Sequence, residues 1–498
     1  MVVPGAARVR RWLEDLAHGD PSRMASVDRA WLRMDDPTNL MIVNALLLLR
    51  EPLPVEELRE LIAARLGWIR RMRSCVAPGR LWGRWELREI DLHAHVVESA
   101  LPDPGDDAVL RERLGELISE PLPASRPLWQ LRVIQNYRPE GRGAPASVVL
   151  CRVHHSLGDG LAQLMVLLSL TDVEAEAASN PLQELFAGAE AEAESAAGRE
   201  AAIERARSFI HEVMPTGMKL LLHRDHLAHE QGAAGNGGTH ASPSAVELAR
   251  RSLGFAWAGG RDLASLLLRR PDSHTVFRGR LVVAKRVAWS RPIPLARIKA
   301  VGTALGDTVN DVLLAALTGA LRRYLLARGQ SPEGVELRAA VPINLRRLAQ
   351  LRELGNRFGL VFLTLPVGIE DPRERLAELH RRMDALKHSV EPVVTWGILE
   401  LMGSSPKLVE RLILDYFAKR VSFVMTNVPG PERPLYLAGR EIDGVMFWVP
   451  QSGRVGLGLS IFSYAGSLRI GVASDAHLVP DPQVLVEKFH EELAELGC

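Results

Sequence analysis

The sequence predicts an α/β protein of two lobes joined by a helical crossover, and three observations carry that expectation. A chain of 498 residues exceeds what one hydrophobic core ordinarily organises. Residues 1–172 and 276–498 each mix strand-like apolar runs with helical periodicity. Between them, residues 173–275 change texture, with an Ala/Glu-rich stretch and then EQGAAGNGGTHASPS, a loop composition.

In the first zone, Leu58, Leu61, Ile62, Leu66 and Ile69 form one stripe at helical spacing, so Glu56 to Arg70 is expected as a helix. Met41 to Leu49 and Ser147 to His154 are apolar and β-rich enough for buried strands. Gly160 to Leu170 follows as a helix after a polar turn. In the last zone, Val309 to Leu326 reads as a long apolar helix capped by Asp307 or Thr308. Strands are expected at Leu337 to Val341, Leu360 to Leu365, Val421 to Thr426, Val455 to Phe462 and Leu468 to Ala473.

Bulk composition excludes several classes. Hydrophobic residues at 47% and charged residues at 24% are ordinary for a globular chain, so wholesale disorder is not expected. With 61 basic and 60 acidic residues the net charge is +1, which gives no support for nucleic acid as a partner. Cys75, Cys151 and Cys498 are odd in number and far apart, so neither a disulfide framework nor a zinc knuckle is expected, and a reducing, cytoplasmic compartment fits. The N-terminal segment turns acidic where a secretory leader needs its apolar run. Leu40 to Leu49 is about half a membrane span, so no bilayer crossing is expected. Peripheral attachment to a membrane or lipid droplet stays open, because it needs only an amphipathic face.

The chemistry concentrates in His154-His155-Ser156-Leu157-Gly158-Asp159-Gly160, placed where a strand should end and a helix begin. Side chains alternate across a strand, so the two histidines are expected to face opposite ways, one toward a cleft and one into packing. Gly158 and Gly160 permit a tight turn, and Asp159 between them can hold a fixed hydrogen bond or ion pair. An imidazole with its ordinary pKa of about 6.5 can take a hydroxyl proton at neutral pH. Such general-base help is worth roughly 100- to 10,000-fold. The bland alternative is a histidine pair that only satisfies backbone groups around a Gly-Asp-Gly turn. No third ligand at recognisable spacing accompanies the pair, so no metal is expected.

The HHxxxDG pattern resembles the hallmark of the chloramphenicol acetyltransferase-like superfamily. More narrowly, the chain is similar to the bacterial wax ester synthase/acyl-CoA:diacylglycerol acyltransferase family. The matching blocks run nearly end to end: Ser26-Val27-Asp28 with Trp31, Asp36-Pro37-Thr38-Asn39, Pro127-Leu128-Trp129 and Thr308-Val309-Asn310-Asp311-Val312. Val341-Pro342 with Arg346, Gly355-Asn356, and Ser422 through Thr426-Asn427-Val428-Pro429-Gly430-Pro431 follow in order. Arg71-Met72-Arg73-Ser74 and Asn39-Leu40-Met41-Ile42 depart from the family's usual blocks, which bears on acceptor preference.

The resemblance implies two chloramphenicol acetyltransferase-like lobes with a tunnel between them. It implies transfer of a long-chain acyl group from acyl-CoA, a co-substrate with no cofactor beside it, to a fatty alcohol or diacylglycerol. His155 would be the general base and His154 its structural neighbour. Asp159 would orient the motif through an arginine, with Arg71 or Arg73 as candidates. Asn310 would hydrogen-bond substrate or the oxyanion, or else serve its own helix backbone. Gly160, Trp129 and Asp311 would line the substrate site. Two rivals stand beside this reading: a condensation-type enzyme using carrier-bound acyl groups, and a non-catalytic lipid-droplet protein of the same fold.

Other features carry less. His93-Ala94-His95 could offer a metal two ligands from a strand face, but a packed or exposed element end is the simpler expectation. Arg70, Arg71, Arg73, Arg346 and Arg347 could meet CoA phosphates, or decorate solvated faces. Gly456-Leu457-Gly458 lacks the third glycine of a dinucleotide loop, and no GxSxG elbow is present. Phe209 to Leu222 and Leu253 to Leu268 are amphipathic, either lobe-packing helices or lipid-docking segments. At about 0.8 kcal/mol per buried CH₂, a long acyl chain gains roughly 10 kcal/mol on leaving water, so a greasy route to the site is expected.

Overall fold

The structure, a computed structural model, describes residues 22–77, 83–141, 143–175, 266–345, 354–387 and 389–498, with scattered positions between 182 and 214. Its first half places helix α1 at Ser26–Met34, strand β1 at Ile42–Leu49 and α2 at Val55–Leu66. A 3₁₀ turn at Arg70–Arg73 leads into β2 (Ser74–Val76) and β3 (Trp85–Leu87), followed by α3 (Leu92–His95) and β4 (Val96–Ala100). Then come α4 (Asp107–Ile118), β5 (Trp129–Tyr137), β6 (Ala146–His154) and α5 (Gly160–Ser169).

The second half begins with β7 (Lys285–Trp289), β8 (Ile293–Pro294), α6 (Leu295–Leu305), α7 (Val309–Ala327), β9 (Leu337–Asn344) and β10 (Phe358–Leu365). Three helices follow, α8 (Pro372–Lys387), α9 (Glu391–Ser404) and α10 (Lys407–Ala418). The chain closes with β11 (Phe423–Pro429), β12 (Tyr436–Leu437), β13 (Arg440–Trp448), β14 (Leu457–Tyr464), β15 (Ser467–Asp475) and α11 (Pro482–Glu495).

Two mixed sheets organise these elements. The first runs β12-β13-β1-β6-β5-β4, and the second β10-β9-β11-β14-β15-β7 with β8 on β15. β6 sits centrally between β1 and β5, and its run of Val and Leu is buried on both faces, as a two-sided core strand requires. In the second lobe α7 is buried almost all round, from Asp311 to Leu321, and packs on α8 and α11. Among the described residues no single helix is long and apolar enough to cross a membrane. α6 and α7 reach the necessary length only as a pair bent by 97°.

One boundary differs from expectation. A contiguous C-terminal lobe over 276–498 is corrected by β13, which leaves the second half of the chain and pairs antiparallel with β1 in the first sheet. Its polar start, Arg440-Glu441-Ile442-Asp443, hides the strand in a sequence reading. The crossover lets β13 weld the lobes: Trp448 lies 6.1 Å from Trp289, and Ser460 donates to the Phe447 carbonyl. Leu46, Leu48, Leu114, Val287, Trp289 and Ala473 complete that shared core. Of the 173–275 crossover, Leu182, Phe209, Ile210, Val213 and Met214 are buried in the first lobe's core. Phe209, Ile210, Val213 and Met214, all within Phe209 to Leu222, are therefore packing residues. Most of the remainder, including 253–265, lies outside the described residues.

A second junction holds α1 against α9. Val27, Ala30, Trp31 and Met34 of α1 pack with Leu399 and Met402 of α9 and with Phe358. The helices approach so closely that a Cβ on Gly403 would sit 1.6 Å from the Ser26 carbonyl oxygen. Gly403→Ala should therefore push α1 out of place and cost about 1–3 kcal/mol, read as a lowered urea midpoint against wild type.

Candidate active site

β6 ends at His154, and the chain turns through a 3₁₀ segment, His155–Leu157, before α5 starts at Gly160. Two backbone bonds pin the turn: His154 N–H donates to Leu128 O at 2.9 Å, and His155 N–H to Met41 O at 2.7 Å. The histidines diverge. His154 Nδ1 accepts from the Ser156 N–H at 3.1 Å and lies 2.8 Å from Ser156 Oγ, so its proton sits on Nε2, 3.6 Å from Asp35 Oδ1. Ser156 is fully buried, and the His154 side chain caps the turn through it. His154 thus shapes the loop.

His155 faces the seam between the lobes. Its ring stacks on Trp31 of α1 at 4.0 Å between centroids and 17° between planes, and Phe358 closes another side at 5.5 Å. Nδ1 lies 2.8 Å from Oδ1 of Asn356, just before β10 in the second lobe. The same amide donates through Nδ2 to the His155 carbonyl at 2.8 Å and to Asp28 Oδ1 at 2.9 Å. A backbone carbonyl can only accept, which fixes the orientation of the Asn356 amide and makes Oδ1 the atom facing the ring. Oδ1 also only accepts, so the His155 proton is held on Nδ1 and Nε2 carries the lone pair.

Only 8% of His155 is exposed, and burial pulls its pKa from 6.5 down to about 4; the Asp159 charge and the Asn356 bond oppose the fall. The ring is neutral at pH 7.

Asp28 is fully buried, and burial pushes its carboxyl above its ordinary value, opposed by Arg71, whose Nη2 lies 3.2 Å from Oδ2. Arg71 is held in turn over the Trp85 ring at 4.5 Å. A chain of contacts therefore runs Arg71–Asp28–Asn356–His155.

The expectation that Arg71 or Arg73 serves Asp159 is corrected. Arg71 pairs with Asp28, and Arg73 reaches the Gly67 carbonyl at 3.5 Å. Asp159 instead caps α5, accepting from Ala162 N–H at 2.9 Å, and accepts from Arg357 N–H of the second lobe at 2.9 Å. Its own N–H donates to Gly355 O at 3.0 Å. Gly355 adopts φ +131°, open to glycine and hardly to other residues, so Gly355-Asn356 can fold tightly against the HHxxxDG turn. On the other side of that contact, a Cβ on Gly158 would already lie 3.0 Å from Ala162 Cβ.

The remaining expected site residues fall in three places. Gly160 is the first residue of α5, exposed, with open space where a Cβ would be. Trp129 is 2% exposed, and its indole donates to Met72 O at 2.7 Å, bracing the 3₁₀ turn that presents Arg71. His95 packs against the Trp129 ring at 4.3 Å from a short helix rather than a strand, with Nδ1 2.8 Å from Trp129 O.

Asn310 and Asp311 open α7. Thr308 and Asp311 form a reciprocal capping box, and Asp311 Oδ2 also lies 3.1 Å from His380 Nδ1, so Asp311 is a buried helix-start residue. Together with Asp307 these side chains could hold a cation by spacing alone, their ligand atoms lying within 4.8 Å of one another.

Asn310 behaves differently from the backbone-capping alternative. Its Oδ1 accepts from Asn427 Nδ2 at 3.0 Å, in an exposed position. That pair stands at a gap in the second sheet. β9 and β11 pair only at Ala339/Phe423 and Ala340/Val424, although both strands run on for several residues. Past Ala340, β9 continues paired with β10 as far as Asn344, which lies opposite Phe358, the neighbour of His155.

The site sets a neutral imidazole at the junction of two mixed α/β lobes, and comparison with known proteins identifies the class as acyltransferases. Residues 24–313 match the wax ester synthase/diacylglycerol acyltransferase catalytic domain, and residues 354–497 match the C-terminal domain of the same group. The chain belongs to the wax ester synthase/diacylglycerol acyltransferase family and is an acyltransferase. It is 26% identical over 95% of its length to the probable diacylglycerol O-acyltransferase tgs1 of Mycobacterium tuberculosis, covering 96% of that protein. The probable diacylglycerol O-acyltransferase tgs2 of the same species is 29% identical, with 82% of each chain covered. Among solved structures, the wax ester synthase/diacylglycerol acyltransferase of Marinobacter aquaeolei VT8 superposes with a TM-score of 0.65 at 21% identity, covering 95% of this chain and 98% of that one. The first condensation domain of the CDA synthetase superposes at 0.55 with 14% identity, covering 95% of each chain. The fold is thus the two-lobe chloramphenicol acetyltransferase-like one.

Removing the counter-ion of a buried carboxylate should be costly. Arg71→Met is expected to lower stability by about 3–5 kcal/mol at pH 7. Asp28 already resists ionisation, and losing Arg71 raises its pKa further. Its penalty is therefore absent below the carboxylate range and grows as pH rises through it. Urea midpoints at pH 7 and pH 4 should show the larger deficit at pH 7.

Proposed function

We propose that this acyltransferase moves a long-chain fatty acyl group from acyl-CoA to the hydroxyl of a fatty alcohol or diacylglycerol, with His155 as general base. The observation that carries the reading is the Asn356 amide, which keeps the ring proton on Nδ1 and leaves Nε2 as a lone pair in a ring kept neutral by burial. The acyl acceptor is taken from the names of the relatives and the donor from the family resemblance of the sequence blocks.

In the step proposed, Nε2 takes the hydroxyl proton as the alcohol oxygen attacks the thioester carbonyl carbon. The tetrahedral oxyanion collapses, the C–S bond breaks, and the CoA sulfur leaves with the proton carried by His155. A ring whose pKa has fallen to about 4 holds that proton poorly and returns it readily. The imidazolium that forms in passing is supported by Asn356 Oδ1 and by the nearby Asp159 charge. The Asn310–Asn427 pair has amide hydrogens left over after its mutual bond, and we assign Asn310 the oxyanion. Asn356, Asp28 and Arg71 position the base; Asp159 clamps the two lobes around it.

Purified protein with labelled acyl-CoA and equimolar hexadecanol, diacylglycerol and short alcohols tests the reading. Labelled ester should form, and His155→Ala should reduce turnover by about 100- to 10,000-fold. Absence of any ester from wild type, or faster transfer from an acyl-carrier protein than from CoA, would overturn it. The pH profile has a definite sign. His155 protonates only as pH falls through about 4, so kcat/KM should be flat around neutrality and drop below about 5. An acid limb near 6.5 would place the base elsewhere.

A further inference from the structure

α10 turns the usual amphipathic arrangement inside out. Its Glu410 points inward, buried and 3.3 Å from Arg33 of α1, while the helix shows leucines to the outside. Leu408 is 71% and Leu412 62% exposed, one helical turn apart, with Val409 beside them. The backbone of the exposed Leu267 and Leu268 adjoins the same face, because the Tyr416 hydroxyl donates to Leu267 O at 2.6 Å. Leu401, at the end of the neighbouring α9, is 56% exposed. Leucines at such exposure in one place call for a partner.

The charge on this face identifies the partner. Lys407 and Arg411 flank the leucines along the helix, and Lys419 follows at its end; all three are exposed. The one carboxylate on that arc, Asp415, faces Arg454 at 4.0 Å. Leucines between cations suit apolar insertion beneath a layer of negative charge, whereas a second copy of the same basic face would repel.

The face also lies close to the chemistry. Ile413 and Leu414 on its inner side pack onto the cluster holding Trp31 and Phe358, the two rings against His155.

We propose that the α10 face, Leu408 and Leu412 with Lys407, Arg411 and the adjoining Leu267 and Leu268, docks the protein on an anionic lipid surface beside the His155 site. The proposal goes beyond the acyl-transfer reading and draws on it only for the lipid nature of the substrates. A binding assay without donor or acceptor separates the two.

Flotation of the full chain with phosphatidylcholine vesicles, with and without phosphatidylglycerol, tests it. Wild type should float with the anionic vesicles. L408D/L412D should reduce the bound fraction by roughly tenfold or more, with the melting temperature unchanged. Should aspartate destabilise the helix, L408Q/L412Q gives the same readout. K407E/R411E should lose binding to anionic vesicles, and L326D, on an exposed leucine of α7, should float as wild type does. The proposal is overturned if wild type binds neither vesicle, or if L408D/L412D floats like wild type. It is also overturned if that variant only converts a dimer to a monomer on size exclusion, which would make the face an interface between copies.

Discussion

An amide has one accepting and one donating end, and Asn356 commits both to the same histidine. Its Nδ2 holds the His155 carbonyl and its Oδ1 the His155 ring, each at 2.8 Å. Because Asn356 belongs to the second lobe and His155 to the first, this side chain fixes the ring tautomer only while the lobes are correctly apposed. Reactivity of the imidazole is thereby tied to the assembly of the whole fold. The Asp159 carboxylate reinforces the junction by accepting from N–H groups of both lobes, and β13 secures it by joining the first sheet from the far end of the chain.

Burial sets the terms for these groups. Asp28 and His155 are both nearly sealed, and burial disfavours the charged form of each, raising one pKa and lowering the other. Asp28 keeps Arg71 as its counter-ion; His155 stays neutral. Asp28 orients the Asn356 amide, and His155 keeps a lone pair on Nε2. The packing of Trp31 on the ring restricts its rotation, so the lone pair has a fixed direction.

Much of the scaffold was legible in the sequence. β1, β6, α7 and β14 are long, apolar and regularly patterned, and they appear within a few residues of the expected spans. β13 escaped because its pairing edge begins with charged residues and its partner lies some 400 residues away, which is why a contiguous second lobe was expected. Glu56 to Arg70 became a helix ending at Leu66 and a 3₁₀ turn, since the turn is held by tertiary contact with Trp129. For the site, the geometry of the HHxxxDG turn was legible, because strand end, histidine and Gly-Asp-Gly turn are local. Asp28, Trp31 and Asn356 entered the sequence reading only as members of resembling blocks. Their roles depend on contacts between distant positions, 201 apart for Asn356 and His155 and 328 for Asn356 and Asp28, which no spacing rule records. Trp129 and Asp311 have backbone contacts that their blocks do not reveal: the indole holds Met72 O, and the carboxylate holds Thr308.

The central claim concerns one proton, and nitrogen NMR reads it. In ¹⁵N-histidine-labelled protein, His155 should show a protonated Nδ1 and an unprotonated Nε2 at neutral pH, and keep that state as pH falls until about 4. A His155 ring bearing its proton on Nε2, or one that becomes doubly protonated near pH 6.5, would contradict the account.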